Sequence, residues 1–379
     1  MKKIGIIGTG YIARGIFRLI QKAEGFCVSK ALTRRNIDTV TNPPREFLTN
    51  SVQELVDNSD LIVECSGDAI HATEVLCHVV QASLPIVTMD AELQATTGSY
   101  FAKNGYFSEA EGDQPGCLAR LKNEAEDMGF HVLAYVNIKG FLNHHPTKEE
   151  MDYWSAKQGI SLEQTTSFTD GTKLQIEQAL VANGLGATIA QNGLIGGNIE
   201  NIKDTSYLAE KAKELKLPIS DYIISPQSSA GVFVLVETDL IENPRNFNVY
   251  ASTMTGEGNY HILLKPFHFC FLEVLKTIKE ALNRLPPLLN NSTAPKIGVA
   301  SIAKRSIKKG EFIKRALGGF DVRGIAVKIK EHPEHVPIAL LANAQIIRNL
   351  EPEQEITWDD VELPESKALS IYQDIFKGL

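Results

Sequence analysis

The sequence predicts an α/β protein. A doubly wound parallel sheet opens the chain, a central α+β segment follows, and a small β-rich segment ends it. Three observations carry that reading. Near-continuous apolar runs at 3–7, 61–65 and 85–89 alternate with helical stretches, as strands do in a parallel sheet covered on both faces. The first run enters a glycine turn, Gly8-Thr9-Gly10, that leads straight into a helix. Beyond residue 140 the periodicity changes, and beyond a Pro-flanked polar linker at 288–295 short strands and turns take over.

In chain order, Lys3-Ile4-Gly5-Ile6-Ile7 is a buried strand and 11–24 a helix. Phe26 to Leu32 is a second strand. Leu61-Ile62-Val63-Glu64-Cys65 and Pro85-Ile86-Val87-Thr88-Met89 flank a helix over 69–83. A helix over 116–128 and the run His131 to Val136 continue the alternation, so the first domain is expected over 1–140. In the central domain, 141–290, Thr165-Thr166-Ser167-Phe168 alternates weakly and 173–182 is helical. Gly231 to Glu237 and Tyr260 to Leu264 read as strands. Pro266 stands in the first turn of a long helix carrying Phe269, Leu272, Ile278 and Leu282, stopped by Pro286-Pro287. The third domain is expected over 295–379.

Composition narrows the function. At roughly 100–200 residues per domain, 379 residues allow two or three domains with real cores. A net charge of −8 argues against a nucleic-acid binder. Five scattered cysteines without a C-x-x-C are neither a disulfide framework nor a zinc site, and no other metal set is evident. The apolar run after Met1 is too short for a signal core, and no 18-residue apolar stretch exists. A soluble, cytoplasmic protein with no membrane or nucleic-acid partner is expected.

The first turn carries chemistry. In Gly8-Thr9-Gly10-Tyr11-Ile12-Ala13 the first glycine permits the tight turn and the second admits a pyrophosphate. The small Ala13 lets helix and strand pack closely, and the helix N-terminus offers N–H groups to the phosphates. Such a Rossmann site places an acid at the end of the second strand to bind the ribose diol of NAD. Here Thr33-Arg34-Arg35 stands there instead, and the guanidiniums suit a 2′-phosphate: NADP rather than NAD. A solvated basic turn is the plainer alternative. Glu64-Cys65-Ser66-Gly67-Asp68 follows the third apolar strand and is expected beside the nicotinamide half, with Cys65 a core residue rather than a nucleophile.

Further motifs carry a family likeness. They are Ile62-Val63-Glu64-Cys65-Ser66-Gly67-Asp68, Pro85-Ile86-Val87-Thr88-Met89-Asp90, Glu111-Gly112-Asp113-Gln114-Pro115-Gly116 and Asn137-Ile138-Lys139-Gly140. Thr166 to Lys173, Val181-Ala182-Asn183-Gly184, Lys265-Pro266-Phe267-His268 and Ala303 to Glu311 extend them. Together they resemble homoserine-dehydrogenase-like oxidoreductases with a C-terminal SAF (β-clip) domain, a group that includes deoxyxylulose-phosphate reductoisomerase-like enzymes. The Asp- and Lys-containing helix of true homoserine dehydrogenases is absent. The resemblance implies hydride transfer between NADPH and a small, polar, anionic carbonyl substrate, in a homodimer or higher homo-oligomer. A reductoisomerase acting on a ketose phosphate such as deoxyxylulose 5-phosphate is one alternative. A non-catalytic NADP-binding scaffold or sensor is the other.

Within these motifs six residues are catalytic candidates. Lys139 ends an apolar strand, so its ammonium projects from the sheet's carboxyl edge, unless it is a snorkelling surface lysine. Asp170 precedes a helix start at which Thr172 and Gln175 fit a capping box. Lys173 then stands at the positive end of that helix, where a cation has no structural reason to be. It could anchor a substrate anion or protonate an alkoxide. Glu177 lies one turn further on the same face, where an ordinary ion pair is its plainer reading. Asp113 sits in an extended turn before Pro115, as cleft residue or helix cap. His268 is either buried and satisfied or catalytic. His144-His145 reads as surface. The basic run Lys304, Arg305, Lys308 and Lys309 is either a solvated turn or a lid or subunit contact over an anionic substrate.

Overall fold

The structure, a computed structural model, describes residues 1–228, 230–242, 255 and 260–377. They pack as two compact units. One comprises 1–116, 268–294 and 365–379, the other 117–267 and 295–364.

The first unit holds a six-stranded parallel sheet in the order β3-β2-β1-β4-β5-β6. Its strands are β1 (Lys2–Ile7), β2 (Phe26–Leu32), β3 (Leu48–Thr49), β4 (Leu61–Glu64), β5 (Ile86–Thr88) and β6 (Phe107–Glu109). Helix α1 (Tyr11–Lys22) turns Ala13, Ile16, Phe17 and Ile20 inward, the spacing of one buried stripe. Helix α2 (Val52–Asp57) is capped by Ser51 and α3 (Ala69–Gln81) by Asp68. Helix α4 (Ala91–Leu93) passes through a π-turn at Gln94–Gly98 into α5 (Ser99–Asn104). The Rossmann order expected from the glycine turn is therefore present.

The helix expected from Pro266 onward begins later. Residues 266–269 are irregular, Cys270–Leu272 is a 3₁₀ turn, and the α-helix runs Val274–Leu282. Two close approaches explain the break. A Cβ on Gly112 would stand 2.1 Å from the Cys270 carbonyl oxygen, and Cys270 itself has φ +49°. One residue later the Phe271 ring lies where a Gly15 Cβ would sit, wedged onto α1. The real helix then buries Val274, Ile278 and Ala281 in the core beneath α1. A C-terminal helix, Lys367–Lys377, escaped the sequence reading. It buries Ala368, Ile371 and Tyr372 in this first unit rather than in a third domain.

Helix α6 (Gln114–Asp127) leads into the second unit and β7 (His131–Lys139). The run at 131–136 was expected to extend the first sheet. It belongs instead to a four-stranded mixed sheet, β10-β9-β7-β8, with β8 (Ile219–Ile224), β9 (Val232–Glu237) and β10 (His261–Lys265). Strand β7 is parallel to β8 and antiparallel to β9. Both its faces are covered, which is why it reads like a strand of the first sheet. Val132 and Tyr135 pack with Cys117, Leu118 and Leu121 of α6, and Ala134, Val136 and Ile138 with Leu208 and Ala209 further on.

Between β7 and β8 lie α7 (Lys148–Gln158), α8 (Leu162–Thr169), α9 (Thr172–Gly184) and α10 (Ser206–Leu215). The weakly alternating 165–168 is thus helical. Ser161 caps α8, and Thr165 and Thr166 return their hydroxyls to the carbonyls of Ser161 and Leu162, which accommodates β-branched residues in a helix. The C-terminal part forms two small antiparallel sheets. One pairs β11 (Ile297–Ala303) with β13 (Val322–Lys328); the other contains β12 (Phe312–Ile313), β14 (Ala344–Ile346) and β15 (Val361–Glu362). The expected capping box on α9 does not form, because both side chains serve β13. Thr172 Oγ1 accepts from Gly324 N at 3.0 Å and Gln175 Oε1 from Ala326 N at 2.8 Å. Asn183 binds the chain at Lys296 and Ile297 in the same way. No helix among the described residues is long and apolar enough to cross a membrane.

Asp221 of β8 organises a glycine-rich loop. Its buried carboxylate accepts the N–H groups of Ile195, Gly196 and Tyr222 at 2.8–3.0 Å. Burial pushes its pKa from 3.8 up to about 6, despite these donors. Between those values the folded state binds a proton that the unfolded chain lacks. This group's contribution therefore falls as pH rises from about 4 to about 6, by at most about 3 kcal/mol. Urea unfolding of the wild type and Asp221→Asn at pH 4.5 and 7.5 tests this. The variant should lose that part of the pH slope; identical slopes would refute it.

Candidate active site

In the first unit the turn after β1 is shaped by its neighbours. Gly8 has φ +118°, and a Cβ there would approach the Cys65 carbonyl oxygen to 3.0 Å. Gly8 N donates to Leu32 O and Cys65 N to Ile7 O, so the turn is moored to strands on both sides. Gly10, the N-cap of α1, has open space around its Cα and no side-chain cap. The N–H groups of Tyr11 and Ile12 at the start of α1 thus meet no capping oxygen from Gly10, and a Cβ on Gly10 would meet nothing within 4 Å. This geometry fits a dinucleotide.

Of the two arginines after β2, Arg35 is bonded to the glycine turn. Arg35 donates from Nη2 to Thr9 O at 3.0 Å and Thr9 Oγ1 at 2.5 Å, while its own N–H reaches Thr33 Oγ1 at 3.2 Å. The Thr9 and Thr33 hydroxyls stand 3.2 Å apart. Arg34 pairs with Asp68 at 2.8 Å. The Cys65 thiol, partly buried against the core, donates to Ile7 O, and desolvation, with Glu64 and Asp90 nearby, pushes its pKa well up. Ser66 is held by Glu64, whose Oε1 accepts from both its N and Oγ at 2.7 Å. Glu64 Oε2 accepts from Thr88 at 2.8 Å, and burial raises the carboxyl above its ordinary range. Gly67 follows at φ +70°. The sequence places Glu64 in the segment expected beside the nicotinamide half; its bonds to Ser66 and Thr88 come from the structure.

Asp113 and His268 also belong to this unit. Asp113 is half-buried beside Gly112 and the buried Gln114. His268 precedes the helix rather than lying in its first turn, with Nδ1 4.0 Å from Cys270 Sγ.

In the second unit the structure brings Lys139, Lys173 and Glu177 together. Lys139 is the last residue of β7, and α9 starts at Thr172, so Lys173 and Glu177 face one way. Glu177 Oε2 lies 3.4 Å from Lys139 Nζ, and Oε1 lies 3.9 Å from Lys173 Nζ. Asn137 completes the group by donating from Nδ2 to Glu177 Oε2 at 3.0 Å. It was missed in the sequence, although a fully buried amide within Val136-Asn137-Ile138 is a visible irregularity. Two ammonium groups thus converge on a carboxylate only 2% exposed. Such a set can hold an anion, donate a proton, or stabilise an oxyanion.

Asp170 has other duties. Its Oδ1 accepts from Thr172 N at 2.9 Å and its Oδ2 from Lys304 Nζ at 2.6 Å. Lys304 also donates to Gly319 O at 2.7 Å, and both members of the pair are buried. The candidate acid is therefore a tie between the start of α9 and the end of β11. Lys304 leaves the basic run accordingly. Arg305 leaves it as well, bridging Glu311 and Asp321 at 2.8 Å. His144 and His145 are both exposed, as expected; partial desolvation, then Arg323, lowers the pKa of His144, and His145 lies 3.2 Å from Glu353.

Comparison with known proteins adds to this geometry. A model of the family "Oxidoreductase DRL, catalytic domain" matches residues 112–274. That span contains Asp113, Lys139, Asp170, Lys173, Glu177 and His268, and the chain thus carries an oxidoreductase catalytic domain. No curated protein matches the chain. Solved structures resemble it more distantly. A probable dehydrogenase from Thermotoga maritima is 14% identical with a TM-score of 0.43, over 76% of this chain and 91% of that one. A myo-inositol dehydrogenase from Corynebacterium glutamicum is 11% identical with a TM-score of 0.43, over 75% and 89%.

Proposed function

We propose that the protein is an NADP-dependent oxidoreductase acting on a small, polar, anionic carbonyl compound or the matching alcohol. The observation that carries this reading is the convergence of Lys139 and Lys173 on the buried Glu177. The glycine cradle of the first unit, with Arg34 and Arg35 beside it, supports the cofactor. A nicotinamide, when bound, gives or takes a hydride. The chain's own groups must then manage the oxygen. Lys139, oriented through Glu177 and Asn137, donates a proton or hydrogen bond to that oxygen, and Lys173 holds the substrate's anionic group. Residues 295–364 with their two small sheets are read as the SAF-like module, and the chain as a homodimer or larger homo-oligomer.

The test is an NADPH-oxidation screen over short hydroxy-aldehydes and ketose phosphates, with products identified by mass. Turnover of an aldehyde supports the reading. A ketose phosphate giving a rearranged carbon skeleton would assign a reductoisomerase instead. Tight NADPH binding without any turnover would mark a non-catalytic sensor.

Cofactor choice has its own test. Arg34→Asp should weaken NADPH by about ten-fold or more while NADH changes little, because a charge-assisted contact to phosphate becomes a repulsion. Fluorescence titration reads both. Equal losses would reverse the assignment.

A further inference from the structure

We propose that Asp68 limits the preference of this chain for a 2′-phosphorylated cofactor by competing with the 2′-phosphate for Arg34. The inference rests on the reading of the first unit as an NADP(H) site.

Its basis is where the two residues stand. Strands β2 and β4 are the parallel neighbours of β1 on either side, so the carboxyl ends of the three lie side by side. Arg34 follows β2 and Asp68 follows β4. Their 2.8 Å contact, Nη2 to Oδ2, therefore runs across the end of β1, where the Gly8-Thr9-Gly10 turn begins. The two arginines are not equivalent there. Arg35 is engaged with both oxygens of Thr9, whereas the Arg34 side chain is 61% exposed and has Asp68 as its ion-pair partner. Asp68 in turn is fixed, because its Oδ1 accepts His71 N at 3.1 Å as the N-cap of α3. The His71 ring, whose pKa burial lowers most, also feels the positive charge of Arg34.

An exposed ion pair of this kind is weak, and a phosphate dianion makes stronger, bidentate contacts to a guanidinium. A 2′-phosphate can therefore take Arg34 from Asp68. The fixed carboxylate stays nearby and repels the phosphate it has yielded to. A cofactor with a free 2′-hydroxyl disturbs nothing. Asp68 thus weakens selection for the phosphate without contributing to binding of the rest of the nucleotide.

The experiment uses the full-length protein, titrated calorimetrically with 2′,5′-ADP and 5′-AMP. These probes carry or lack the phosphate and are independent of the nicotinamide end. Asp68→Asn keeps a good capping residue on α3. It should tighten 2′,5′-ADP about ten-fold and leave 5′-AMP within about two-fold, as removal of one repulsive charge and one competing pair predicts. Asp68→Ser, also a capping residue, should act in the same direction. NADPH and NADH, followed by cofactor fluorescence, should move in parallel with the two probes. Unchanged or weaker 2′,5′-ADP binding in both variants overturns the role of Asp68, while a wild-type preference for 2′,5′-ADP keeps the NADP reading. Equal binding of 5′-AMP and 2′,5′-ADP that persists in both variants overturns both.

Discussion

Replacing Lys304 by Met should lower stability by about 3–5 kcal/mol, because a carboxylate is left buried without its cation. Asp170 and Lys304 meet at 2.6 Å with side chains 0% and 4% exposed, so water cannot replace the lost partner. The loss would appear as a lower urea midpoint by circular dichroism. The double variant Asp170→Leu/Lys304→Met should recover most of it, since an apolar pair of similar volume often matches a buried ion pair. Recovery should fall short by about 1 kcal/mol, for Asp170 also accepts Thr172 N at the start of α9. A single variant within about 1 kcal/mol of wild type would show that the pair does not act as a buried tie.

What could be read in the sequence was local. Gly8 and Gly10 announce themselves because a turn at positive φ and an uncapped helix start are set by a few neighbouring residues. Lys173 and Glu177 share a face by helical period alone. What escaped depends on partners far along the chain. Thr172 and Gln175 have the spacing of a capping box, yet amides of β13 some 150 residues later claim both. Asp170 stood among the catalytic candidates until Lys304 supplied its counterion. Strand β7 carries the same two-sided burial as strands of the first sheet, and no local pattern tells one covered sheet from another. The tasks of Glu64 and Asn137 stayed hidden for a related reason. A buried polar group reveals its task only through what it bonds: Ser66 and Thr88 for one, Glu177 for the other.

Lys139→Met and Lys173→Met should each depress turnover and leave NADPH affinity within a few-fold. Loss of one electrostatic contact to a developing alkoxide commonly lowers the rate by a factor of about a hundred or more. The geometry distinguishes the two lysines. Lys139 shares Glu177 Oε2 with Asn137, which orients it, so its loss should fall on kcat. Lys173, near the first turn of α9, is better placed to grip an anion. Its Met variant should therefore raise KM at least as much as it lowers kcat. If Lys139 delivers the proton, the wild-type pH–rate profile contains an ionisation that Lys139→Met lacks. Glu177→Gln should follow Lys139→Met, because an amide cannot pair with the ammonium in the same way. Steady-state kinetics at saturating NADPH measure all three. Near-normal kcat and KM in both lysine variants would move the search for the chemistry to Asp113 and His268.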